Sequence, residues 1–156
     1  MKLLFVCTGN TCRSPMAEAI ARKIVIERGL LDIDVASAGT SAWDGAAASD
    51  GALLVGMERR LDLGTHRSQQ LSRALVESSD LILTMGPHHL ERVEALGGAG
   101  KGYLLAAYPA RGSSGRAISD PVGGDLDVYR ATADELESEI RRVFDRLAVE
   151  RVPGAS

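Results

Sequence analysis

Aromatic residues are scarce in this chain, 4% of 156 positions, and cysteines number only two. The first shortage leaves little to stack against a flat cofactor ring. The second, with both cysteines in one short segment and no export signal ahead of them, argues against a structural disulfide, since the cytosol keeps thiols reduced. Cations are in deficit: 18 Lys and Arg against 21 Asp and Glu give a net charge of −3. The basic face that a nucleic-acid partner requires is therefore not expected. No apolar run approaches the length of a membrane span, and only four apolar residues separate Met1-Lys2 from Cys7, too few for a signal peptide. These shortages predict a cytoplasmic protein without nucleic-acid or membrane partners, and they imply no particular oligomer. No metal or other cofactor is expected either, because His66, His88, His89 and the two cysteines lack the spacing of a zinc site.

What is present is a hydrophobic content of 45%, enough for a core at a length typical of one domain. We expect that domain over residues 1–151, with a short disordered tail at 152–156. Short apolar runs alternate with helical patterns, the signature of a parallel sheet with crossover helices. Strands are expected near Lys2 to Cys7, Ile33 to Ser37, Leu81 to Met85 and Lys101 to Leu105. The predicted fold is three-layer α/β: an open parallel four-stranded sheet with helices on both faces. A first helix is expected from Pro15 to Arg28, stopped by Gly29, and a last one from Thr132 to Val149, with Leu136, Ile140, Val143, Phe144 and Leu147 as its core stripe. The stretch Ala106 to Ser119, rich in Ala, Gly, Ser and Arg, reads as a flexible surface loop.

The segment Cys7-Thr8-Gly9-Asn10-Thr11-Cys12-Arg13-Ser14-Pro15 follows the first strand. Ser14-Pro15 reads as a helix cap with proline in the first helical position, so the loop faces a helix N-terminus. Backbone N–H groups and the positive end of the helix dipole converge there and favour an anion. The same field, with Arg13 alongside, favours the thiolate of Cys7 and makes it a nucleophile. Gly9 lets the backbone approach a ligand. The spacing C-x5-R recurs by accident, and its place at a strand-to-helix turn carries more of the weight. The plainer reading of Cys7 is a small buried hydrophobe at a strand end.

This segment resembles the phosphate loop of the low-molecular-weight protein tyrosine phosphatases. The resemblance continues through Ser37-Ala38-Gly39-Thr40, His66-Arg67-Ser68 and Asp80 to Met85, and ends with Asp120-Pro121 ahead of the final helix. It implies hydrolysis through a phosphocysteine on Cys7, with Arg13 holding the phosphoryl oxygens and Asp120 as general acid and base. Ser14 would donate to the thiolate. Asn10 would adopt a left-handed conformation held by Ser37 and His66, the plainer alternative for His66 being a polar turn residue. Thr8, Gly9, Asn10, Thr11, Cys12 and Ser14 would form the phosphate cradle, and Trp43 would line the entrance or else simply pack. Cys12 is either a partner for a reversible disulfide with Cys7 or a buried thiol. His88 and His89 follow Pro87 and are read as the start of a solvated helix.

Two positions bear on the substrate. Tyrosine-directed members usually carry a bulky aliphatic residue at the place of Thr11 and aromatic residues after the Asp-Pro, where this chain has Val122-Gly123-Gly124. Both departures resemble the bacterial protein arginine phosphatases, whose partners are phosphorylated proteins. The resemblance thus implies a phosphoarginine phosphatase, with a phosphotyrosine phosphatase as the alternative. Further alternatives are an arsenate reductase, which would need a resolving thiol that no cysteine after Cys12 supplies, a flavodoxin-like FMN carrier, and a non-catalytic phosphoprotein-binding module.

Overall fold

The strand at the centre of the molecule is buried on both of its faces: Leu3, Leu4, Phe5 and Val6 are all 0% exposed. It is β1 (Lys2–Cys7), followed by α1 (Arg13–Arg28), β2 (Asp34–Gly39), α2 (Asp50–Arg59), α3 (Arg73–Ser78), β3 (Leu81–Thr84), α4 (Pro87–Val93), β4 (Gly102–Leu104) and α5 (Leu126–Arg151). The computed structural model describes residues 1–109 and 116–151. The strands form one parallel sheet in the order β2-β1-β3-β4. Side chains alternate across a strand, so β1 feeds two cores. Leu3 and Phe5 pack with Met16, Ile20 and Ile24 of α1 and with Leu136, Ile140 and Phe144 of α5. Leu4 and Val6 pack on the opposite face with Leu71, Val76 and Val93. Each large side chain buried this way contributes about 1.5–3 kcal/mol of transfer free energy. The result is the expected three-layer α/β arrangement, with the candidate anion loop at the carboxyl end of the central strand.

Element boundaries depart from the sequence reading for local reasons. α1 begins at Arg13, with Cys12 in the cap position and no side-chain cap bond, so Ser14 lies inside the first turn and does not cap it. Its C-terminus is as expected, with Gly29 at φ 67° and the amides of Gly29 and Leu30 closing onto Ile26 and Val25. α5 starts six residues before Thr132, because the Asp125 carboxylate accepts the Val128 N–H at 3.1 Å and caps the helix there.

The stretch before Asp120 is fastened rather than loose where it is described. Ala106, Ala107, Tyr108 and Ile118 are buried. The Ile118 N–H donates to Met85 at the end of β3 (2.8 Å), and the Ser119 N–H donates to Glu135 of α5 (3.0 Å). Residues 110–115 and the tail 152–156 lie outside the described residues, so neither the middle of that loop nor the predicted tail is described here.

Candidate active site

The loop from Cys7 to Arg13 closes over the end of β2. Thr40 and Ser41 donate their N–H groups to the carbonyls of Cys7 and Thr8, each at 2.9 Å. This approach requires Gly39, since a Cβ there would stand 2.4 Å from the Thr8 carbonyl oxygen. Among the described residues, no backbone carbonyl accepts from the N–H groups of Gly9 to Cys12. Beside them lies a recess of about 300 Å³ lined by Cys7, Thr8, Gly9, Thr11, Cys12, Arg13, Asp120 and Val122.

Asn10 organises the floor of this loop. It is fully buried at φ 56°, in the left-handed region that asparagine tolerates better than most residues. Its Oδ1 accepts the backbone N–H of Gln69 at 2.9 Å, which fixes the orientation of the amide. Nδ2 then donates to Ser14 Oγ at 2.7 Å and to Ser37 Oγ at 2.9 Å. Because Ser14 Oγ accepts from Asn10, its own hydrogen is free to go to Cys7 Sγ, 2.9 Å away. Ser37 passes its hydrogen to Glu18 Oε1 at 2.7 Å, and Glu18 is paired with Arg22. The Asn10 carbonyl accepts only, so His66 must present Nε2–H across the 2.7 Å contact between them. Every donor in this chain has one direction, and its end points a hydroxyl hydrogen at the sulfur of Cys7.

The rim is built differently. The Arg13 side chain is buried, and its Nη1 donates to the Ile118 carbonyl at 3.0 Å, which fixes the plane of the guanidinium. Its Nη2 lies 3.6 Å from Asp120 Oδ2, and the Asp120 side chain is 53% exposed. Asp120 Oδ1 accepts the Val122 N–H, while Gly123 at φ 80° and the bond from Gly124 N–H to Pro121 complete a tight turn. The carboxylate is thus carried beside the arginine, at the recess that Cys7 also lines.

The fold brings Cys7, Thr8, Gly9, Thr11, Cys12, Arg13 and Asp120 around one recess and puts Asn10, Ser14, Ser37 and His66 beneath it. Trp43 stands apart: it is 86% exposed and does not line the recess. Cys12 is a buried free thiol between Ser49 Oγ (3.3 Å) and Tyr129 Oη (3.4 Å). Burial, followed by the bond to Cys12, raises the Tyr129 phenol above its ordinary range. The reading of His89 as solvated is overturned. The short helix α4 turns His88 outward and His89 fully inward, where His89 Nε2 meets Thr8 Oγ1 at 2.8 Å. Gln69, Tyr129 and His89 were not singled out in the sequence as site residues, since each reaches the loop from a distant element, and Glu18 of α1 was missed because it acts through Ser37 of β2.

The sequence profile described as low molecular weight phosphotyrosine protein phosphatase matches residues 2–152. A protein-arginine-phosphatase of Bacillus subtilis is 40% identical over 153 residues, 97% of this chain and 99% of that protein. The low molecular weight protein-tyrosine-phosphatase PtpB of Staphylococcus haemolyticus is 43% identical over 137 residues, 87% and 92% of the two chains. Among solved structures, the YwlE arginine phosphatase, in a Cys-to-Ser mutant with a phosphorylated active-site serine, superposes with a TM-score of 0.89 at 38% identity, covering 97% of this chain and 98% of that one. With profile, relatives and geometry in agreement, the chain belongs to the low molecular weight phosphotyrosine protein phosphatase family.

Proposed function

We propose that the protein is a cysteine-dependent protein phosphatase that removes phosphate from phosphoarginine residues. The observation that carries the choice of substrate is the lining of the recess. Thr11 and Val122 stand where the tyrosine-directed pattern has a bulky aliphatic residue and an aromatic wall, and among the described residues no aromatic ring lines the recess. The name of the B. subtilis relative supports the same reading.

In the first step Cys7 Sγ attacks phosphorus in line, forming the S–P bond as the P–N bond breaks, and Asp120 gives its proton to the leaving guanidine nitrogen. Arg13 and the loop N–H groups take the equatorial oxygens and follow their charge into the transition state. In the second step the Asp120 carboxylate takes a proton from water, the resulting oxygen attacks phosphorus, and the S–P bond breaks. The Ser14 hydroxyl, already aimed at sulfur, stabilises the departing thiolate. Asp120 also supplies a negative charge beside a cationic leaving group. The substrates in this reading are phosphorylated proteins and the compartment is the cytoplasm, which suits two cysteines that stand unpaired.

The test is kcat/KM on matched peptides carrying phosphoarginine or phosphotyrosine, in reducing buffer without metal. A preference of about tenfold or more for phosphoarginine is expected. A phosphotyrosine preference keeps the mechanism and returns the chain to the activity named for the S. haemolyticus relative.

A further inference from the structure

Thr8 lines the recess beside Cys7, and its hydroxyl has a neighbour that the chemistry above does not use. His89 is fully buried. Its Nε2 lies 2.8 Å from Thr8 Oγ1, and its Nδ1 is buried without a hydrogen-bond partner. A neutral imidazole carries one proton, and the two tautomers have opposite consequences for Thr8. With the proton on Nδ1, a donor is stranded in the interior and Thr8 spends its own hydrogen on Nε2. With the proton on Nε2, only a lone pair is stranded, His89 donates to Thr8 Oγ1, and the Thr8 hydrogen is left free. Stranded buried N–H groups are rarer in proteins than under-used acceptors. The second tautomer is the one this environment selects.

We propose that His89 is a positioning residue that, as the Nε2–H tautomer, turns the Thr8 hydroxyl into a donor facing the recess, where it binds an oxygen of the phosphoryl group. The inference rests on the phosphatase reading of the recess but not on the choice between phosphoarginine and phosphotyrosine. Neutrality of the ring is part of the device, because an imidazolium would stand next to the fixed charge of Arg13. Burial, then the neighbouring His88 and Arg13, hold His89 well below its ordinary range, down to about 4, against a smaller upward pull from Asp120. At neutral pH His89 is therefore held in its neutral form.

Two measurements test this. Long-range proton–nitrogen NMR of the full chain, recorded without substrate, should show His89 protonated at Nε2 and bare at Nδ1, and a proton on Nδ1 overturns the proposal. The second measurement reads inorganic phosphate affinity, together with kcat and KM on p-nitrophenyl phosphate, in Thr8→Val, His89→Leu, the double variant and His89→Gln. Thr8 is on the surface, so Thr8→Val keeps the result interpretable if His89→Leu does not fold. Loss of one hydrogen bond to a charged group predicts roughly tenfold weaker phosphate binding in Thr8→Val, and a smaller loss in His89→Leu, where the Thr8 hydroxyl remains but is no longer oriented. The double variant should lose no more than Thr8→Val alone, and His89→Gln, which retains a donor near the position of Nε2, should recover most of the His89→Leu loss. Unchanged phosphate affinity in Thr8→Val, or fully additive losses in the double variant, overturns the proposal. Turnover of p-nitrophenyl phosphate by the parent chain separates this outcome from failure of the phosphatase reading itself.

Discussion

The floor and the rim of the recess are made by opposite means. Beneath the loop, Asn10, Ser14 and Ser37 are buried, and each polar group of the Asn10 side chain has an assigned partner. At the mouth, Asp120 and Val122 are exposed, and Asp120 is held by a local turn and one long ion pair. A buried network fixes geometry because any broken bond leaves an unpaired group out of water. An exposed rim tolerates exchange. In the proposed reading, phosphoryl chemistry rests on the buried side chains, Arg13 among them, whereas selection of the leaving group belongs to the exposed rim.

Substitutions at the two levels should separate accordingly. The largest effect is expected at the nucleophile: Cys7→Ser should lower kcat at least about a thousandfold while inorganic phosphate still binds. Turnover near the parent rate would remove the covalent step. Asp120→Asn should cost about a hundredfold with a poor leaving group and far less with p-nitrophenyl phosphate, whose leaving group needs no proton. Equal losses on both substrates would dissociate Asp120 from proton transfer.

Asn10→Ala should cost about 2–4 kcal/mol in urea unfolding, from backbone strain and unpaired partners, and about tenfold in kcat. A variant with normal stability would show that the floor is not the rigid part. Thr11→Ile should leave p-nitrophenyl phosphate turnover near the parent value but move the phosphoarginine to phosphotyrosine ratio several-fold toward tyrosine. An unchanged ratio would take specificity away from Thr11.

The mildest effect concerns acid, and it touches stability rather than activity at neutral pH. His89 is held at about 4, below its ordinary 6.5, so the folded chain refuses a proton that the unfolded chain accepts. Its contribution is complete above pH 6.5 and is lost as pH falls from 6.5 to 4, at most about 3 kcal/mol. Urea midpoints of the parent and His89→Gln, compared from pH 7 to pH 4, should converge. A constant difference across that range would contradict the assigned burial.

Much of the site was legible because it is local. Cys7 to Ser14 is one contiguous segment whose order along a strand-to-helix turn already dictates an anion cradle, and Gly29 ends α1 where a left-handed cap was expected. What escaped was non-local or hidden by a plausible alternative. The sequence reads Ser14 both as a cap and as a donor to Cys7; only the cap reading fails, because Cys12 holds the cap position and the Ser14 hydroxyl is used by Asn10 and Cys7. His89 looked solvated because the seven-residue helix α4 has no periodicity long enough to show which face is buried. Glu18 lies on α1, but only the neighbouring β2 strand brings Ser37 to it.

The sequence by itself determined the parallel α/β arrangement, the nucleophile with its arginine, and the Asp-Pro turn that carries a carboxylate, because alternation, spacing and turn chemistry are properties of neighbouring residues. Tertiary structure alone decided how the Asn10 amide leaves the Ser14 hydrogen free for Cys7, which imidazole stands behind Thr8, and that Trp43 stays outside the recess. Those outcomes depend on hydrogen bonds between groups as far as 81 positions apart, and direction in such a network is set by the packing of separate elements rather than by any one of them.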